Sequence, residues 1–228
     1  MILFKTILPL QARIRRLKEA GKSIGFVPTM GALHAGHISL IGESRSKTDI
    51  TVCSIFINPK QFNDVRDFEK YPKTIEQDIL LLEKSGADMI FMPAVDEIYP
   101  ADKNEIPHYD LGYLEEILEG FYRPGHFQGV CRVVHRLLTI VHPDMLFLGQ
   151  KDYQQYMVIR QMMNDCTIST PIHICPTLRE PDGLAMSSRN MRLSPAGRQK
   201  ADPEATGSIG ECAVGMSDET CRRRGRKP

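Results

Sequence analysis

The sequence is notable first for the signatures it does without. Its six cysteines, at 53, 131, 166, 175, 212 and 221, include no CxxC pair. That excludes a zinc ribbon, a thioredoxin-like redox site and the disulfide framework of a small secreted domain, and it favours reduced thiols in a cytoplasmic protein. No apolar run approaches the length of a membrane span. The opening MILFKTILPL is apolar but broken by Lys5 and Pro9, and no small-residue cleavage site follows it. A strand and then a basic amphipathic helix, QARIRRLKEAGK, are expected there rather than a signal peptide. Net charge is only +1, so nothing global points to nucleic acid or to an anionic membrane as a partner. Internal repeats are missing too. So are GxSxG, the P-loop GxxxxGK[ST] and GxGxxG, which leaves a serine–histidine nucleophile without motif support.

What remains is an ordinary globular composition, 42% hydrophobic and 25% charged, in 228 residues, enough for one full domain and part of a second. Short apolar runs lie at residues 23–29, 49–58, 87–93, 144–149 and 172–178. Helical spacing separates them. TIEQDILLLEKSGA places Ile75, Ile79 and Leu82 on one face, with Thr74 as N-cap and Gly86 as the stop. FQGVCRVVHRLLTIV repeats the pattern with Val130, Val133, Val134, Leu137, Leu138 and Val141, and KDYQQYMVIRQMM is a third such segment. Strands alternating with helices imply parallel strands joined by crossovers, hence an α/β, doubly wound, Rossmann-like sheet with helices on both faces.

The polar stretches, three of them glycine-bearing, fall where the apolar runs end: PTMGALHAGH, NPKQFN, GQKDYQQ and REPDGLAMSSRN. Ligands of open parallel sheets bind outside the carboxyl ends of the strands, so the four together suggest one composite site. PTMGALHAGH opens a helix, whose N-terminus offers amides and a positive dipole end to an anion. There Gly36 permits close approach of a base or phosphate to the backbone, and His34 and His37 can donate to phosphate oxygens. Metal binding is a rival, but HxxH lacks the i, i+4 spacing of HExxH and no carboxylate lies beside it. The plain alternative is a pair of satisfied loop histidines. Lys151 in GQKDYQQ can neutralise phosphate charge or be a solvated lysine beside an N-capping Asp152. Gln154 and Gln155 suit hydroxyls or a carboxylate, or are surface glutamines. In AMSSRN two hydroxyls and Arg189 can wrap a polyphosphate, or form a polar loop that caps a helix. Asn58 and Gln61 lie beyond an apolar strand, where an ordinary turn is the alternative. Asp78, inside a helix where aspartate is a poor former, can reach a magnesium ion or face solvent.

Taken in order, PTMGALHAGH, FINPKQF, YPKT, FYRPGHFQGV, LGQKDYQQ and DGLAMSSRN resemble the pantothenate synthetases, the pantoate–β-alanine ligases. The resemblance runs from residue 1 to about Lys200, and HxGH alone is shared with the wider nucleotidylyltransferase superfamily. It implies a cytoplasmic homodimer that uses ATP, pantoate and β-alanine, with magnesium, and proceeds through pantoyl adenylate. It implies an ATP site of Met30, Gly31, Ala32, Leu33, His34, Ala35, Gly36 and His37, with Gly149, Gln150, Lys151, Asp152, Leu178, Met186, Ser187, Ser188 and Arg189. His37 is implied as proton donor, His34 as its assistant at the phosphates, and Lys151 as the group that steadies the α-phosphate. Gln61 and Gln155 are implied to grip pantoate, with Gln61 also meeting β-alanine, and Asn58 is implied with them as a substrate-binding residue. Asp78 is implied near the magnesium ion.

The resemblance implies a nucleotide- and acid-binding domain over 1–178, then a hinge and the start of a small second domain over 179–201. From 202 to 228 the text becomes DPEATGSIGECAVGMSDETCRRRGRKP, without leucine, aromatic residues or periodicity. A disordered tail is expected there, in place of the family's covering lid, with ligase activity reduced accordingly. The alternatives are a nucleotide-binding remnant without turnover and a nucleotidylyltransferase with another acceptor. Pantoate-dependent pyrophosphate release separates them.

Overall fold

The computed structural model describes residues 1–63, 65–100, 107–199 and 201. The expected tail at 202–228 lies outside the described residues. In chain order the strands are Ile2–Phe4 (β1), Ile24–Thr29 (β2), Ile50–Ile55 (β3), Met89–Phe91 (β4), Met145–Gly149 (β5) and Ile172–Cys175 (β6). The helices are Ile7–Glu19 (α1), Ala35–Lys47 (α2), Val65–Glu69 (α3), Ile75–Ser85 (α4), Val95–Ile98 (α5), Leu118–Tyr122 (α6), His126–Val141 (α7), Tyr153–Asp165 (α8) and Pro195–Gln199 (α9). The apolar runs are strands, though several end earlier than the run does. Residues 56–58 and 176–178 have already left the sheet.

All six strands pair in parallel, in the order β1-β4-β3-β2-β5-β6. Alternation along each strand divides the core in two, because successive side chains point to opposite faces. On one side Phe26, Val52, Phe91, Leu146 and Leu148 pack with α1, α7 and α8. On the other, Val27, Cys53, Ile55, Ile90 and Phe147 pack with Ile41 of α2 and Leu82 of α4. Each large apolar side chain fully buried this way contributes roughly 1.5–3 kcal/mol. The sheet is therefore doubly wound. Its strand order reverses between β2 and β5, which is where an α/β sheet opens a crevice for ligand. Among the described residues no helix is long and apolar enough to cross a membrane, and the described cysteines form no disulfide.

One helix face differs from its expectation. Ile75 is 45% exposed and Ile79 is partly buried, while Asp78 and Leu82 are the buried positions of α4. The inward stripe is rotated because a carboxylate, not an isoleucine, is needed there. Gly86 ends α4 in the left-handed conformation, as expected, but the hydroxyl of Thr74 bonds the carboxylate of Asp78 rather than a backbone amide.

Helix α7 lies against the turn Pro59–Gln61 with almost no clearance. A Cβ on Gly129 would stand 2.2 Å from the Lys60 carbonyl oxygen and 2.7 Å from Gln61 Cα, both backbone atoms that cannot swing away. Gly129→Ala should therefore destabilise the fold. Overpacking of about 1–3 kcal/mol outweighs the gain in helix propensity of about 1 kcal/mol. A thermal midpoint lower by a few degrees is expected from calorimetry; an unchanged or raised midpoint would show that this contact is not tight.

Candidate active site

The crevice is lined from four directions, and its centre is the start of α2. His34 is the N-cap residue, with extended backbone. Its Nδ1 accepts the Gly36 N–H at 3.1 Å, and Nδ1 of His37 accepts the His34 N–H at 3.2 Å. The two rings lie 4.1 Å apart. An imidazole whose Nδ1 accepts must carry its proton on Nε2, so this double cap fixes one tautomer for both rings and leaves two Nε2–H donors. Burial, then the positive character of His34 and Lys151, pulls the His37 pKa down to about 3. Burial and Lys151 also lower His34, with Glu180 and Asp152 opposing them. At neutral pH both rings are uncharged donors. Gly36 is small for a local reason: a Cβ there would meet the His34 ring at 2.9 Å.

Upstream, Gly31 and Ala32 are consecutive left-handed residues, with φ of +82° and +51°. Asp78, only 1% exposed, holds them. Its Oδ2 accepts the Ala32 N–H at 2.9 Å, and its Oδ1 accepts the Leu33 N–H at 2.8 Å and the Thr74 hydroxyl at 3.1 Å. Both carboxylate oxygens thus already accept amides, and the N–H groups of Ala32 and Leu33, expected at the nucleotide, are given to Asp78. Among the described residues no three His, Cys, Asp or Glu side chains converge as a metal cage.

A first cavity of ≈ 190 Å³ contains Met30, both histidines, Gln61, Lys151, Gln155 and Ser187 to Arg189. A second of ≈ 120 Å³ contains Gly36, Gly149, Leu178 and Met186 and shares His34, His37, Lys151, Asp152 and Gln155 with the first. The two are halves of one cleft, and the shared side chains stand at the junction. An added Cβ on Gly149 would meet nothing within 4 Å, so the β5 end presents bare backbone to the second half. Lys151 and Asp152 occupy a 3-10 turn that leads into α8, where Asp152 is the N-cap residue without a side-chain cap bond and lies with Oδ1 3.6 Å from Lys151 Nζ. Gln150 is in the same turn but lines neither half. The Leu178 carbonyl already accepts the Met186 N–H, and the Leu178 side chain walls the second half. Ser187 caps the turn Ser188–Arg192 by accepting the Arg189 N–H at 3.3 Å. Ala35, with Ala32 and Leu33, borders an adjoining hollow of ≈ 360 Å³ beside Glu180 and Arg198, which shares His34, Met186, Ser187 and Ser188 with the cleft.

The acid-binding expectations divide. Asn58 is fully buried and fully used. Its amide donates to Gln61 Oε1 and to the Gly129 carbonyl, and its oxygen accepts the Lys60 N–H and the Tyr99 hydroxyl. Each polar atom of its side chain is thus engaged within the protein. Because Asn58 donates to Gln61 Oε1, Gln61 turns its NH₂ inward, where among the described residues it meets only the Met30 sulfur at 2.9 Å. Sulfur is a weak acceptor, so that donor is readily given to a ligand oxygen. Gln154 points elsewhere and ties Leu114, Ile117 and Glu119 together through their backbones. Sequence reasoning gave no role to Arg123 and His126. His126 Nδ1 lies 2.8 Å from the Gln61 carbonyl oxygen and Arg123 Nη2 lies 3.4 Å from it, while Arg123 also pairs with Glu119. The polar RPGH ahead of an apolar helix was the available signal. Val130, Val133 and Val134, expected only as core, also give the first half an apolar wall.

Known proteins with this arrangement are found readily. The sequence model described as pantoate-beta-alanine ligase matches residues 2–206. The pantothenate synthetase of Porphyromonas gingivalis is 48% identical over 193 residues, which is 85% of this chain and 68% of that protein. The crystal structure of pantothenate synthetase from Thermus thermophilus superposes with a TM-score of 0.82 at 43% identity, covering 88% of this chain and 71% of that one. The pantoate-beta-alanine ligase of Francisella tularensis, whose structure is a complex with beta-gamma ATP and beta-alanine, gives 0.82 at 44% identity over 92% of this chain and 78% of its own. With the family model spanning most of the sequence and this crevice at the strand-order reversal, the chain belongs to the pantoate–β-alanine ligase family.

Proposed function

We propose that the chain condenses pantoate with β-alanine in an ATP-dependent, AMP-forming reaction through pantoyl adenylate. The observation that carries this reading is the junction: His34, His37, Lys151 and Gln155 belong to both halves of the cleft. A reaction joining an acid to the α-phosphorus of a nucleotide needs its charge-bearing groups where the two reactants meet. The Francisella relative's complex with a nucleotide and β-alanine supports the same assignment.

In the first step a pantoate carboxylate oxygen forms a bond to the α-phosphorus, and the bond from that phosphorus to the bridging oxygen breaks. Pyrophosphate leaves with the electron pair. In the second step the β-alanine amine forms a bond to the acyl carbon, loses a proton, and AMP departs with the broken C–O pair. The detour is needed because a carboxylate has no good leaving group and a mixed anhydride with AMP has one. The Nε2–H groups of His34 and His37 donate to phosphate oxygens, and Lys151 balances the charge that spreads during transfer. Ser187, Ser188 and Arg189 hold the phosphate chain against Gly149 to Asp152. Gln61 and Gln155 take pantoate's carboxylate and hydroxyls, and Val130, Val133 and Val134 receive its methyl groups. His37, implied as proton donor, acts here as a neutral hydrogen-bond donor. A magnesium ion bound with the triphosphate would supply neutralisation of phosphate charge, alongside Lys151 and Arg189. Residues 1–178 are the nucleotide- and acid-binding domain, 179–201 the hinge and the start of a second domain, and the protein works as a cytoplasmic homodimer.

AMP formation should require ATP, magnesium, pantoate and β-alanine together, and turnover that ignores pantoate would point instead to a transferase with another acceptor. His37→Ala and Lys151→Ala should keep the folded circular dichroism signal and lose pantoate-dependent pyrophosphate release by on the order of 100-fold or more. Near-normal release from both would remove their assigned roles.

Gln155→Ala should weaken pantoate binding in calorimetry and leave ATP binding little changed. The reverse pattern would place Gln155 with the nucleotide.

The depressed pKa of His37 also sets a pH dependence. An unfolded histidine takes up its proton near 6.5, whereas folded His37 resists until about 3. Its contribution to stability is complete above pH 6.5 and is lost as pH falls toward 3. The His37 ring resonances should not titrate between pH 8 and 5 in the unliganded protein; a titration centred near 6.5 would contradict a neutral, tautomer-locked ring.

A further inference from the structure

A carboxylate as buried as Asp78 must be satisfied, and its partners here are informative. Both oxygens accept backbone N–H groups, from Ala32 and Leu33, and Oδ1 takes the Thr74 hydroxyl as well. The residue also lies in the first turn of α4, where the helix dipole favours negative charge. The segment it grips needs a restraint. Ala32 at φ +51° is in a region that L-residues adopt reluctantly, and it directly follows left-handed Gly31. A Cβ on Gly31 would stand 3.0 Å from Asp78 Oδ2, so the glycine makes room for the carboxylate. Two residues after Ala32 comes His34, whose N–H must point at His37 Nδ1 for the double cap to close.

We propose that Asp78 is a positioning residue of the reaction: by clamping the amides of Ala32 and Leu33 it fixes the left-handed kink that delivers His34 as N-cap and locks both imidazoles as Nε2–H donors. Its effect on rate rests on the ligase reading, while the lock itself is a property of the unliganded chain. Asp78 touches no reactant; it acts through the loop.

Asp78→Asn is the discriminating variant. Both oxygens accept, so either orientation of the amide turns an NH₂ toward a backbone N–H and breaks one half of the clamp. Thr74→Val removes the third hydrogen bond and leaves the clamp whole. Long-range ¹H–¹⁵N spectra should show His34 and His37 as single Nε2–H tautomers in the wild type and in Thr74→Val, and as mixed tautomers in Asp78→Asn. Pantoate-dependent pyrophosphate release should fall on the order of 10- to 100-fold in Asp78→Asn, mostly in kcat, and stay within about two-fold in Thr74→Val. Unchanged tautomers in a folded Asp78→Asn would overturn the proposal, as would equal losses in the two variants. Hydrogen exchange in the wild type needs no variant to fold. The Ala32 and Leu33 amides should exchange slowly despite lying in a loop, and rapid exchange would equally overturn the clamp. Tautomer disorder in Asp78→Asn, with no pantoate-dependent turnover in the wild type, would strike the ligase reading and leave the clamp standing.

Discussion

Two Nδ1 atoms at the start of α2 each accept a backbone N–H, one from Gly36 and one from His34. Most of the site follows from that reciprocal cap. It removes two of the unpaired donors of the helix N-terminus, and it sets the imidazole protons on the side that faces the cleft. It holds the rings in a half-enclosed place beside Lys151, where protonation is costly. The parallel sheet then decides what the rings can serve. Because strand order reverses between β2 and β5, the loops carrying the histidines and Lys151 leave adjacent strands and diverge around one crevice.

The two halves of that crevice differ in chemistry. In the second half Gly149 offers no side chain, and Leu40, Tyr156 and Leu178 stand around it. The first half has an apolar wall from α7, two neutral amides and the Ser187–Arg189 turn, with Arg123 and His126 turned to the Gln61 carbonyl. The amide donor of Gln61 is aimed by a chain of buried contacts through Asn58 to the Gly129 carbonyl. Such preorganisation lets donors meet developing charge without reorganising when the bond is made.

The sheet, its helices and the gathering of four loops were legible in the sequence because each depends on short-range pattern: apolar runs, 3.6-residue periodicity, and glycines where runs end. The roles of single polar residues were less so. Asp78 read as a solvated or metal-binding carboxylate because its partners, Ala32 and Leu33, are more than forty positions away and are backbone groups that leave no mark in a sequence. The same blindness placed Ile75 on the inner face of α4, where the demand for that carboxylate had rotated the stripe. Asn58 looked like a ligand group until its amide and its oxygen were both found occupied. Arg123 and His126 stood in the polar RPGH stretch, but the sequence gives no sign that both reach the carbonyl of Gln61, a backbone group more than sixty positions away.

The central claim is that bond making occurs at the junction of the two halves, between a carboxylate oxygen and the α-phosphorus. Isotope transfer tests it directly. With pantoate labelled by ¹⁸O in its carboxylate, each turnover should leave one ¹⁸O in the phosphate of AMP and none in pyrophosphate. Unlabelled AMP, or label recovered in pyrophosphate or inorganic phosphate, would contradict the account.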